Sequence, residues 1–150
     1  MADLPLDAAR AQRLSLRATM DDVERSIVSA ATGRPGEWAA RVSEQLTRLR
    51  AAFDRHVEIT EAPDGLLEEV IEETPRLVPR VERLKKDHVD IRVGIEEAMA
   101  AVADTSSFTP EQVEPLQKTV VGVLAQIVHH RHLGADVVYQ AYSVDIDAAD

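Results

Sequence analysis

The chain has 150 residues, 45% of them hydrophobic and 29% charged, enough for one domain that buries roughly 70% of its unfolded surface. A formal net charge of -10 with no basic cluster argues against nucleic acid and anionic membranes as partners. The absence of cysteine excludes disulfides, thiolate metal sites and cysteine nucleophiles.

Aromatic residues make up only 3% of the chain, and long Ala/Leu/Glu/Arg stretches alternate with short Pro/Gly breaks. Strands draw on β-branched and aromatic residues in short alternating runs, so this composition favours an all-α fold. The start, Met1-Ala2-Asp3-Leu4-Pro5, lacks a positive region followed by an apolar run, so no signal peptide is expected. No stretch reaches the ~18 uninterrupted apolar residues needed to span a bilayer. A cytoplasmic protein is the simplest expectation.

The first helical segment carries a seam of Leu6, Ala9, Arg13, Leu16, Met20, Val23, Ile27 and Ala30, with Asp7 as its expected cap. Gly33-Arg34-Pro35-Gly36 is a turn. The second segment reads Trp38, Val42, Leu46, Leu49, Phe53, His56 and Thr60, and ends before Ala62-Pro63-Asp64-Gly65. A short amphipathic helix, Leu66 to Glu73, is expected next, with its acidic residues forming a solvated face. The third long segment begins between Pro75 and Pro79 and reads Leu77, Val81, Leu84, His88, Ile91, Ile95, Ala98 and Val102. A polar loop from Asp104 to Pro110 leads into Thr109-Pro110-Glu111-Gln112, which has the residues of a capping box. The fourth long segment reads Val113, Leu116, Val120, Val123, Ile127, His130, Gly134, Val137 and Ala141.

Alternating spacings of three and four make a narrow apolar stripe on each long segment. They predict an antiparallel up-and-down four-helix bundle with a short extra helix between the second and third helices, one domain over residues 1–150.

All five histidines fall in helical segments, and His56, His88 and His130 occupy seam positions that Leu, Ile or Val normally fill. At 1.5 Å per residue His56 and His130 lie roughly 29 and 30 Å below the starts of their helices. His88 lies roughly 23 Å below the far end of its own. Up-and-down topology then brings the three imidazoles within about a turn of one another, as a buried metal site requires. The bland alternative is a set of hydrogen-bonded core histidines. His129, His130 and His132 also read as a run near a helix end, complementing its dipole when protonated. Tyr139 and Tyr142 read as packing residues with wet hydroxyls.

Other bundle chemistries fail on spacing. Ferritin-like di-iron sites need Glu-x-x-His on two helices, but Phe53, Lys85, Gln126, Ile127 and His129 stand three residues before the histidines. There is no His-Glu-x-x-His, nucleophile elbow or glycine-rich phosphate loop.

Histidine late in the second helix (Phe53-Asp54-Arg55-His56), another early in the third (Asp87-His88) and a third in the fourth (His130-Arg131) resemble the hemerythrin-like HHE cation-binding domains. The resemblance spans nearly the whole chain in helix order, and the stretch from His130 to Tyr139 looks like the last helix of a divergent branch. It implies a non-haem di-iron centre that binds oxygen or nitric oxide or serves iron handling. His56, His88 and His130 would be imidazole ligands, with carboxylates bridging the irons.

This chain departs from that pattern in named places. Arg13 stands where the first helix should supply a histidine, and Thr60 stands where His-x-x-x-Glu calls for a carboxylate. Glu61 is one residue further on, Gly134 lies four after His130, and His132 with Asp136 forms an i, i+4 pair. The expected ligand set is therefore His56, Glu61, His88, His130, His132 and Asp136, with iron as the expected metal. Guanidinium groups from Arg13 and Arg131 oppose a dication, or pair with Glu61 or Asp136 in a metal-free network. A binding, sensing or storage protein is the leading expectation. The alternatives are a metal-free structural or protein-interaction bundle, and an oxidoreductase using the same iron.

Overall fold

The computed structural model describes residues 4–29 and 31–149, and within them it is all helix with no strand. Five helices follow in chain order: α1 (Leu4–Val28), α2 (Pro35–Thr60), α3 (Leu66–Glu73), α4 (Val78–Ala101) and α5 (Val113–Ala149). Ala30 and the side chains of Leu6 and Ala9, expected in the first seam, lie outside the described residues.

The breakers act through simple sterics. Gly33 takes φ +75°, the left-handed conformation that a side chain disfavours, and Pro35 opens α2 where its missing N–H costs nothing. A β-carbon on Gly65 would sit 2.6 Å from the Ile59 carbonyl oxygen, so only glycine allows the chain to fold back from α2 into α3. Pro75 starts a short 3-10 turn that runs into α4, and Pro79 lies in the first turn of that helix. Asp7, expected as a cap, lies inside the first turn of α1, where its charge favours the positive helix end. Before α5 the Thr109 N–H donates to Gln112 Oε1 at 2.8 Å, while the Gln112 N–H goes to the Thr109 carbonyl. The expected capping box forms.

The seams are buried as the spacing requires. In α2 every seam residue from Trp38 to Thr60 is buried, and so is every one from Leu77 to Val102 along α4. A large apolar cluster joins Leu16, Val23, Trp38, Leu46, Phe53, Ile95 and Ile127 with their neighbours from α1, α2, α4 and α5. Burial of each large aliphatic side chain contributes about 1.5–3 kcal/mol before entropy is counted. Phe108, from the expected polar loop, is also buried and packs 5.9 Å from the Trp38 ring. A smaller cluster gathers Leu67, Val70, Leu77, Val81, Leu84, Val137 and Ala141, where α3 and the Pro75 turn lie against α4 and the later half of α5.

α5 is longer than its sequence pattern announces. Gly134 does not end it, and the helix continues to Ala149. Val137 and Ala141 sit in the second apolar cluster, and that packing outweighs the ~1 kcal/mol a helical glycine costs. His129, His130 and His132 are therefore interior to the helix rather than near its end. Among the described residues no helix is long and apolar enough to cross a membrane.

Two long-range bonds fix the relative placement of helix ends. Gln12, near the start of α1, donates to the Ala52 carbonyl near the end of α2 at 2.6 Å. Gln117, near the start of α5, donates to the Ile27 carbonyl near the end of α1 at 2.8 Å.

Candidate metal centre

A polar layer separates the two apolar clusters. His88 falls between Leu84 of one cluster and Ile91 of the other, and His130 between Ile127 and Val137. His56 follows Phe53 by one helical turn. All three histidines are buried, and one ring nitrogen from each lies within 4.8 Å of the others. Their ring centroids are 4.7–5.4 Å apart. The Phe53 ring floors the cluster, 5.6, 5.9 and 6.4 Å from His56, His88 and His130.

Carboxylates set the tautomers of two rings. Glu61 Oε2 lies 2.5 Å from His88 Nδ1, and Asp87 Oδ2 lies 3.2 Å from His130 Nδ1. An ionised carboxylate only accepts, so both Nδ1 atoms carry hydrogen and both Nε2 atoms keep a lone pair. His56 Nε2 stands 3.3 Å from His130 Nε2, and donation from His56 fits that lone pair. His56 Nδ1 is then buried with no partner, a deficit of about 1–3 kcal/mol.

Burial, first of all, pushes the His56 pKa down from 6.5 to about 3, helped by the other two histidines and by the Arg131 and Arg13 charges. Burial likewise takes His88 to about 3, with His130 and Arg92 adding to the effect and Asp87 opposing it. His130 is also lowered by burial, against the pull of its Asp87 hydrogen bond. The rings are neutral at ordinary pH, which is the state that ligates metals.

The cluster opens onto a cavity of about 50 Å³, lined by Arg13, Thr60 and Arg131 together with Leu66, Leu67, Leu84 and Val138. A single water needs about 10–15 Å³ measured this way, so there is room for an ion with a few small ligands. Thr60 is buried and turns its hydroxyl back to the His56 carbonyl at 2.8 Å. Arg131 Nε is buried without a hydrogen-bond partner. Burial also lowers the Arg131 pKa, with Arg17 and Arg13 adding to the shift.

Of the six residues expected as ligands, the structure brings His56, His88 and His130 into one cluster. Glu61 stands behind the His88 ring, its side chain 31% exposed, and contacts the ring nitrogen rather than joining the group of converging nitrogens. His132 is exposed and lines a separate groove with Arg17, Asp21 and Glu24. Asp136 is also exposed, and accepts from Arg80 Nη1 at 3.1 Å. The pairing expected for Arg13 or Arg131 with Glu61 or Asp136 does not form among the described residues, because those carboxylates are engaged by His88 and Arg80.

Asp87 is the functional residue whose role the sequence did not reveal. Its position beside His88 marks it as acidic and near the seam, but its bond goes to α5. It is held from behind by Arg83, 3.2 Å away.

The donor set is chemically suited to a transition metal. Tetrahedral coordination with metal–nitrogen bonds near 2.0–2.1 Å separates neighbouring nitrogens by about 3.3 Å. The His56 and His130 Nε2 atoms already have that separation, 3.3 Å. The carboxylates behind two of the rings are the outer partners that orient metal-bound histidines. No family model, curated protein or solved structure matches this chain.

Proposed function

We propose that this protein is a divergent hemerythrin-like cation-binding bundle whose His56, His88 and His130 hold one first-row transition-metal ion. The observation that carries this reading is the convergence of three neutral imidazoles from α2, α4 and α5, two of them oriented by carboxylates. The bonds from Gln12 to Ala52 and from Gln117 to Ile27 join starts of helices to ends, which supports an antiparallel arrangement of α1 with α2 and with α5.

The donors are all nitrogen, which suits iron or zinc as a single ion. A carboxylate-bridged pair of irons fits less well, because Thr60 occupies the bridging position and points its hydroxyl at its own helix. Glu61 and Asp87 offset the Arg13 and Arg131 charges at the site. A bound ion would supply an electrophilic centre with open positions toward the cavity. The chain's own part is to hold three rings neutral, orient them and exclude bulk water. Binding, sensing or storage of the ion accounts for this arrangement without a separate acid–base pair.

A second reading rests on a specific observation, the His56–His130 contact beside two arginines. In that reading the layer is a metal-free polar network within a structural bundle. Metal analysis of untagged protein from iron- and zinc-supplemented cultures separates the two. About one equivalent of iron or zinc, removable by chelator and restored on reloading, supports the first. Less than about a tenth of an equivalent of any transition metal, with no uptake on reloading, leaves the second.

A further inference from the structure

Arg13 on α1 and Arg131 on α5 are each partly buried, and both face the histidine cavity. Among the described residues neither takes part in an ion pair, and Arg131 Nε lacks any hydrogen-bond partner. A buried N–H without an acceptor is unfavourable. A neighbouring groove that both arginines also line holds Arg17, Asp21 and Glu24, and Asp21 attracts the Arg131 charge. Leu66, Leu67, Leu84 and Val138 also line this cavity.

We propose that this cavity binds a small monocarboxylate, its oxygens on the Arg13 and Arg131 guanidiniums and its short alkyl end against Leu66, Leu67 and Val138. The arginine fork matches the planar carboxylate, and the free Nε–H of Arg131 is one of the donors that a side-on pair uses. A dianion such as phosphate would bring more charge and more acceptors than two guanidiniums and an aliphatic wall can match. The volume of about 50 Å³ limits the ligand to a few heavy atoms. This site goes beyond the metal reading and does not need it, since the two guanidiniums line the cavity with or without an ion on the imidazoles. A bound cation would strengthen the attraction.

The test is calorimetric titration of chelator-treated protein with butyrate, acetate and inorganic phosphate, repeated on Arg131→Gln and Arg13→Gln. Butyrate is expected to bind saturably and more tightly than acetate or phosphate, and each substitution to weaken it roughly tenfold or more. Absence of butyrate binding, phosphate binding as tightly as butyrate, or unchanged affinity in both folded variants would overturn the proposal. If the variants fail to fold, ring resonances of His56 and His130 in the unsubstituted protein give the answer. Butyrate must shift them, and unshifted signals overturn the site. Cobalt uptake measured on the same preparations keeps the two ideas apart: butyrate binding without cobalt uptake removes the metal reading alone, and cobalt uptake without butyrate binding removes this one alone.

Discussion

Asp87 on α4 reaches His130 on α5 across 3.2 Å, and this bond decides which nitrogen of His130 faces the cluster. The ring of its neighbour His88 donates instead to Glu61, so the two rings are oriented by different carboxylates. Asp87→Asn keeps the shape but removes the charge and the pure acceptor. Metal affinity is expected to fall about 10- to 100-fold, as for other outer partners of metal-bound histidines. Competition with a chromophoric chelator measures this, and an unchanged affinity would show that the carboxylate does not tune the ring.

His88→Ala removes one of three imidazoles and leaves Glu61 without its partner. Metal uptake is expected to be lost, while the metal-free protein is destabilised by about 2 kcal/mol or more from the cavity created. Urea denaturation and metal analysis on the same preparation separate these effects. Full uptake by this variant would remove His88 from the ligand set.

The neutral histidines predict acid lability. His56 and His88 titrate near 3 in the folded chain, against 6.5 as the ordinary value. Between those limits the unfolded chain binds more protons, so stability rises with pH and is lost progressively as pH falls from 6.5 toward 3. Denaturation midpoints of chelator-treated protein across that range are expected to show this slope, and His56→Leu to reduce it. A flat profile would mean that the rings are solvated or charged in the native state.

Gly134 offers a stabilising substitution. A β-carbon there meets nothing within 4 Å, and the residue lies inside α5, so Gly134→Ala is expected to stabilise by about 0.5–1 kcal/mol. Gly36 is the contrast, because its β-carbon would lie 2.8 Å from the Thr105 carbonyl oxygen and Gly36→Ala must displace backbone. Thermal melting of both variants is expected to show opposite signs. A destabilised Gly134→Ala would mean that α5 breaks at that position in solution.

Helix placement and seam burial were legible because 3.6-residue periodicity and Pro/Gly punctuation are local properties. Trp38, Val42, Leu46, Leu49, Phe53 and His56 all read inward and all lie inward. The meeting of His56, His88 and His130 was legible too, since helical rise converts sequence position into depth. What lay beyond local pattern was decided by packing between elements. Phe108, in a loop that reads as polar, is buried because Trp38 offers it a ring. Asp136 turns outward because Arg80 stands nearby, a residue 56 positions away that no spacing rule connects to it.

The Phe53 ring touches all three imidazoles from the core side. It makes the histidine layer a blind alley in that direction, with no path for water or protons into the interior beneath. The cavity lies on the side that Leu66, Leu67 and the two arginines line. An ion would therefore have to arrive before any organic guest, and a seated guest would bar its departure. Order of entry would thus be imposed by one aromatic side chain that ligates nothing.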